Sequence, residues 1–281
     1  MGTIVTIHVL REGADVAIER AFGWFDEIER VCTRFSQSSE LMQLTAQAGV
    51  AVPASPILYE AVQFARMLAE ETGGAFDPTV GHRMAARGFN KEHRTGEIVR
   101  TDVVPEDDVS YRDVQPDPER KTILLRRTLT LDLGAVAKGL AVDAAARELE
   151  PFKDFAIDAG GDLYLGGLNP QGEPWSVGIR HPRRDDEMID SVRVSNQAVC
   201  TSGDYERGQH ILDPRNGSST HAVASATVVA SGAMLADALA TAAFVLGPED
   251  GIQLLNRMGV DGLIVTPDLN HYETRGLRHA A

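Results

Sequence analysis

Asp237 and Thr241 stand four residues apart in a run, Ala233 to Phe244, whose other members are small or apolar. On a helix that spacing puts a carboxylate and a hydroxyl on one face. A carboxylate in so apolar a setting needs a partner or a cation. Oxygen-only donors suit a hard ion such as Mg²⁺ bridging to substrate phosphates, not zinc. The plainer reading pairs Asp237 with a buried Arg or with backbone N–H groups, and lets Thr241 bond back into its own helix. Spacing alone leaves both open.

A second segment, Leu131-Asp132-Leu133-Gly134-Ala135-Val136-Ala137-Lys138-Gly139, reads as a strand end followed by a helix start. Free N–H groups at a helix start accept phosphate, and Lys138 supplies a point charge. It is no P-loop, because GxxxxGK[ST] is absent. A tight corner with a solvated lysine is the competing view. Gly73-Gly74-Ala75-Phe76-Asp77-Pro78-Thr79-Val80-Gly81 reads as a rigid loop between helices. Phe76 could stack on a planar ring or plug the core; Asp77 could read a base edge or cap the turn. Ser202, in Thr201-Ser202-Gly203-Asp204-Tyr205, is a hydroxyl donor in a turn without the G-x-S-x-G frame of a nucleophile elbow. His210, before Ile211-Leu212-Asp213-Pro214, could approach a substrate from a strand. Asp158-Ala159-Gly160-Gly161-Asp162 reads as a plain glycine turn first and a ligand-facing strand end second. His82 and His221 have no patterned companions.

These segments need elements to hold them. The β-branched start, residues 1–9, reads as a strand. Ala14 to Arg34 carries apolar residues at helical spacing. Ser38 is the expected N-cap of a short helix that includes Glu40 and Leu41. Ser55-Pro56 opens a helix to Glu71, which Gly73-Gly74 ends. Thr122–Leu125 and Thr128–Leu131 read as a tight hairpin, and Val109–Val114 as a short edge strand. A helix follows from Ala135 to Glu150. Strands are expected at 155–157, 175–179, 192–194, 198–201, 210–212, 225–229 and 262–266, with 181–190 as a charged loop. Helices are expected at 231–246, closed by Gly247-Pro248, and at 249–258. Short strands with interspersed helices give an α+β class with mixed or antiparallel sheets, not regular βαβ alternation.

Composition narrows the function classes. With 281 residues and 43% apolar content the chain can build one sizeable core or two small ones. Its net charge of −14 argues against a nucleic-acid coat. A local anion site remains open to it. Cys32 and Cys200 sit in unrelated contexts and read as buried thiols, not a disulfide or zinc site. No stretch reads as a signal peptide or a membrane span. The chain as written is expected to be cytoplasmic; a preceding leader would make it periplasmic or membrane-anchored.

Taken in order, these blocks resemble the ApbE family of FAD:protein FMN transferases. They are Met1-Gly2-Thr3, Phe35 to Leu41, Gly74 to Gly81, Asp132 to Gly139, Thr201 to Tyr205, His210 to Pro214 with Gly217, and Ala236 to Thr241. The resemblance runs from residue 1 to about 266. It implies an ApbE-like α+β fold over 1–281, as a single domain or two closely packed lobes, with a cofactor cleft. It implies an enzyme, monomeric or homodimeric, that splits FAD with Mg²⁺ (Mn²⁺ as an alternative). FMN would pass to a Thr or Ser hydroxyl of a client flavoprotein, and AMP would leave. By the same resemblance Asp237, Thr241 and the backbone carbonyl of Ala135 hold the metal. Asp132, Lys138 and Ser202 touch the cofactor, and Met1, Phe35, Ala75, Phe76, Asp77 and Ile211 line the flavin or adenine region. His210 lies beside the phosphates as the first choice of proton acceptor, with a metal-adjacent carboxylate second. His210, Asp237 and Lys138 are thus the expected catalytic set.

The sequence departs from the family pattern at Gly81-His82-Arg83, where Gly-Pro-Leu is usual. Leu140 stands for a frequent Tyr, and Asn216 for the usual Thr of the Asp-Pro-x-Thr-Gly turn. None is an expected metal ligand. An FAD pyrophosphatase carries the same motifs. A protein that binds FAD and leaves it intact has no need of the Asp237/Thr241 pair.

Overall fold

The computed structural model describes residues 2–92, 95–99, 104, 106, 108–184, 186–205 and 211–280. In chain order the elements are β1 (Val5–Val9), α1 (Asp15–Cys32), α2 (Glu40–Thr45), β2 (Ala51–Pro53), α3 (Pro56–Glu71), α4 (Gly81–Ala86), β3 (Val114–Asp117) and β4 (Thr122–Leu125). They continue with α5 (Gly134–Leu149), β5 (Phe155–Ala159), β6 (Asp162–Gly166), β7 (Trp175–Arg180), β8 (Met188–Val194), β9 (Gln197–Gly203), β10 (Ser225–Ala230), α6 (Ala233–Leu246), α7 (Pro248–Met258), β11 (Asp261–Val265) and β12 (His271–Glu273). No helix among the described residues is long and apolar enough to cross a membrane. The chain divides into two compact units. One comprises Met1–Gly2, Asp26–Ala137 and Pro214–Gly217; the other comprises Thr3–Phe25, Lys138–Asp213 and Ser218–Ala281.

In the first unit α3 starts as its sequence requires. Ser55 Oγ accepts the Leu58 N–H at 3.3 Å, and Pro56 fills the first helical position. Leu58, Ala61, Val62, Ala65, Leu68 and Ala69 form its buried stripe. Each large member contributes about 1.5–3 kcal/mol by leaving water. Gly73 and Gly74, at φ +60° and +83°, turn the chain out of the helix. The next residues fold around Asp77, which caps a single 3₁₀ turn, Pro78–Val80. β4 lies between β2 and β3, antiparallel to both.

The second unit is built on a sheet ordered β1-β5-β6-β9-β10-β11-β12, antiparallel at each pairing. The β7–β8 hairpin covers one face through Ile179, Val192 and Val194, which pack on Leu165, Val199, Val229, Leu263 and Val265. On the opposite face α6 packs on β9 and β10. β10 is covered on both sides, and every residue from Ser225 to Ala230 is buried, the hydroxyls of Ser225 and Thr227 included. The Gly160-Gly161 hairpin turn joins β5 to β6 with Ala159 opposite Asp162. Both glycines have positive φ, and a Cβ on Gly160 would sit 1.8 Å from Thr3 Oγ1.

Several expectations need correction. The cap of α2 is Ser39, which accepts the Met42 N–H; Ser38 instead bonds Ser36. Thr128–Leu131 is not the second strand of a hairpin. Its polar groups are taken elsewhere: Thr128 O by the Glu106 N–H and Thr130 O by the Gly81 N–H. β4 pairs with β2 and β3 in its place. The edge strand expected at 109–114 begins only at Val114, after a 3₁₀ turn at Tyr111–Asp113. β8 starts at Met188, inside the expected loop. Of 210–212, Leu212 makes a single bridge to Ser219 and His210 lies outside the described residues. β2, α4 and β12 were not expected.

Candidate functional site

In the second unit, strand alternation and one helix face bring four chemical side chains together. β9 turns Cys200 and Ser202 toward α6 and Val199 toward the β7–β8 hairpin. β6 pairs Leu163 with Val199, so Asp162 lies one register step along, beside Cys200. Asp162 is 1% exposed, and its carboxyl meets Lys138, Asp237 and Cys200. Lys138 Nζ is 2.8 Å from Asp162 Oδ2. Burial alone would push the Lys138 ammonium down, but the Asp162 and Asp237 carboxylates outweigh it and hold its pKa above the ordinary lysine value. Lys138 is therefore a fixed positive charge and not a proton acceptor.

Asp237 and Thr241 occupy one face of α6, as their spacing predicts, and Asp237 is buried. Thr241 Oγ1 lies 3.1 Å from Ser202 Oγ. The first turn of α6 has no cap of its own at Gly232. Asp143 of α5 supplies one, accepting the Ala233 N–H at 2.6 Å and the Met234 N–H at 3.0 Å. Among the described residues no group of three or more His, Cys, Asp or Glu side chains is placed to hold a metal. The donors that are gathered, Asp237, Thr241 and Ser202, are a carboxylate and two hydroxyls, which fits Mg²⁺ or Mn²⁺ and not zinc. A cavity of about 220 Å³ in this unit is lined by Ile211, Arg183, Asp204, Tyr205, Thr220, His221 and Phe244. Arg183 closes on Asp204 through two bonds, at 2.6 and 2.8 Å.

In the first unit Asp77 is buried and accepts three hydrogen bonds. Oδ1 accepts the Thr79 N–H at 2.9 Å and the Thr79 hydroxyl at 2.7 Å, and Oδ2 accepts the Tyr111 N–H at 3.0 Å. Burial nevertheless raises its pKa, the donors only partly offsetting it. Asp77 borders a cavity of about 210 Å³ together with Thr79, Arg83, Tyr111 and Arg215. Phe76 is 5% exposed and Ala75 fully buried. Where Gly-Pro-Leu is usual, Gly81-His82-Arg83 opens α4, and Arg83 donates to the Pro214 carbonyl at 2.6 Å. Asp132 Oδ1 accepts the Gly134 N–H at 2.8 Å at the start of α5, where Ala135 lies half-buried.

Met1 and His210 lie outside the described residues. Asp162, Asp143 and Arg34 were missed as functional candidates. Asp162 had a signal, being one of the two aspartates that flank a glycine turn, but its meeting with Lys138 depends on sheet register.

The ApbE family model matches residues 1–264. In sequence the chain is 33% identical to the FAD:protein FMN transferase of Treponema pallidum, over 95% of this chain and 83% of that one. It is 27% identical to the Haemophilus influenzae protein of the same description, over 98% and 87%. Among solved structures it is similar to the ApbE protein of Thermotoga maritima, with a TM-score of 0.84, 28% identity, and 98% and 94% of the two chains covered. The flavin transferase ApbE of Vibrio cholerae gives 0.83, 27%, and the same coverage. The sequence match over nearly the whole chain and the agreement of the α+β fold lead to one conclusion: the chain belongs to the ApbE family of FAD:protein FMN transferases.

Proposed function

We propose that this enzyme moves the FMN half of FAD onto a Thr or Ser hydroxyl of a client protein, with a divalent cation, and releases AMP. The observation that carries the reading is the oxygen-donor face of α6, Asp237 and Thr241 with Ser202, set within reach of the charge of Lys138. Asp237 and Thr241 would hold the cation, and the family resemblance adds the Ala135 carbonyl. When bound, Mg²⁺ neutralises pyrophosphate charge and favours departure of AMP.

The client hydroxyl oxygen attacks the FMN-side phosphorus. The bridging P–O bond breaks, and its electron pair leaves on AMP. The hydroxyl proton goes to an acceptor, for which His210 is the proposed residue. Lys138, held charged, adds fixed positive potential that water would otherwise supply. The enzyme needs no nucleophile of its own. A client segment seated over the reacting phosphate excludes water, which favours transfer over hydrolysis.

Mass spectrometry of a Thr-bearing client peptide incubated with the protein, FAD and Mg²⁺ tests this. A gain of one FMN with release of AMP, both lost on chelation, supports transfer. FMN and AMP without a modified peptide indicate a pyrophosphatase. Intact bound FAD indicates a carrier.

A further inference from the structure

We propose that Arg34 is a positioning residue for FAD, holding the Asp132 carboxylate and the Phe35 ring in one fixed arrangement. This rests on the reading above that Asp132 and Phe35 meet the cofactor.

Arg34 follows α1, and its side chain is only 8% exposed. A guanidinium that far from water must be matched by acceptors. Its Nε–H donates to Asp132 Oδ2 at 2.7 Å, and Nη2 donates to the Phe89 carbonyl. Its carbon lies 4.3 Å from the centre of the Phe35 ring, which places the cation against the aromatic face. Asp132 is held at two further points. Oδ1 takes the Gly134 N–H at the start of α5, and its own N–H donates to the Pro78 carbonyl at 2.7 Å. One arginine thus fixes an aromatic ring, a helix-start carboxylate and, through Asp132, the turn that carries Asp77.

The bonds use features that lysine lacks. The planar fork meets a carboxylate, a carbonyl and a ring at once; an ammonium on a flexible stem satisfies one of these well. Arg34 is 98 residues from Asp132 in sequence, so no local motif announces the pair.

The test compares wild type with Arg34→Met, Arg34→Lys, Asp132→Asn and the Arg34→Met/Asp132→Asn double variant. FAD affinity is read by flavin fluorescence quenching, folding by thermal melting, and transfer by kcat and KM for FAD. Arg34→Met is expected to weaken FAD binding at least about tenfold. Arg34→Lys should fall between it and wild type. The double variant should bind no more weakly than the worse single one, because Arg34 acts through Asp132. A folded Arg34→Met protein with wild-type FAD affinity overturns the proposal, as do losses that simply add. If Arg34→Met does not fold, wild-type FAD affinity in Arg34→Lys overturns it. Failure of the wild type itself to bind FAD overturns the functional reading as well, and is distinguishable for that reason.

Discussion

Lys138 and Asp162 form an ion pair inside the second unit, Nζ to Oδ2 at 2.8 Å, with 18% and 1% of their side chains exposed. The desolvation cost of such a pair is recovered only while both members are present. Lys138→Met leaves a buried carboxylate without its counter-ion, and should cost about 3 kcal/mol of stability. Replacing both by apolar residues of similar volume, Lys138→Met with Asp162→Leu, should recover much of that loss. Urea titrations of the three proteins decide it; a double variant as unstable as the single one would mean the pair is not the main cost.

The same pair fixes a pH window. The Lys138 pKa is raised, despite burial, because the Asp162 and Asp237 carboxylates hold the proton on. A raised lysine pKa contributes stability that is complete below the unfolded value, about 10.4, and is lost only as pH climbs through the folded one. The stability difference between wild type and Lys138→Met should therefore be flat from pH 8 to about 10, and shrink above that. A difference that already shrinks between pH 8 and 9 would show that Lys138 loses its proton too early for this account.

Gly139 sets helix propensity against packing. In an exposed helix Gly→Ala gains up to about 1 kcal/mol. Here an added Cβ would stand 2.5 Å from the Ala233 carbonyl oxygen and from Met234 backbone atoms. Those atoms begin α6, and Asp143, one turn along α5, bonds the same two residues. Gly139→Ala should thus destabilise, by about 1–3 kcal/mol, through displacement of the α6 start. Thermal melting reads the sign directly, and a higher Tm would contradict the packing.

The local signals were the legible ones. Ser55-Pro56, the apolar stripe to Ala69 and Gly73-Gly74 together define α3, because caps and periodicity act within a few residues. The Asp237/Thr241 face follows from helical spacing alone. What the sequence hid is set by distant pairing. Asp162 reaches Lys138 only because the β5–β6 turn and the Leu163–Val199 register carry it there. Thr128–Leu131 has the composition of a strand, but Glu106 and Gly81 take its backbone groups. Arg34 reads locally as the end of a helix, and its role becomes visible once Asp132 is beside it. The departure at Gly81-His82-Arg83 likewise acquires a meaning from Pro214, which Arg83 reaches.

The two cysteines should be silent toward thiol reagents in the native state. Burial, with Glu40 adding to it, pushes the Cys32 thiol up to about 12. Burial also raises the Cys200 thiol well above its ordinary value, and the Asp162 and Asp237 carboxylates add to that. The thiolate is the reactive form, so neither should be attacked at pH 8. Ellman's reagent should find no fast thiol in the folded protein and two in denaturant. A fast native thiol would place one of them in an open or electropositive setting, against its burial.

The cation assignment makes the sharpest demand on α6. Asp237 is the carboxylate of the set, and Thr241 and Ser202 offer hydroxyls 3.1 Å apart. Asp237→Asn keeps the size and removes the charge, and should abolish most divalent binding together with metal-dependent AMP release. Thr241→Ala should weaken the cation by about tenfold, while Thr241→Ser, which retains the oxygen, should stay near wild type. Mn²⁺ titration followed by electron paramagnetic resonance reads binding without relying on turnover. Thermal melting separates a lost ligand from a lost fold, which matters because α6 packs directly on β9 and β10. Unchanged Mn²⁺ affinity in a folded Asp237→Asn protein would sink the assignment. Equal losses in Thr241→Ala and Thr241→Ser would reduce Thr241 to a packing residue, since the two variants differ in the oxygen that a hard cation would recognise.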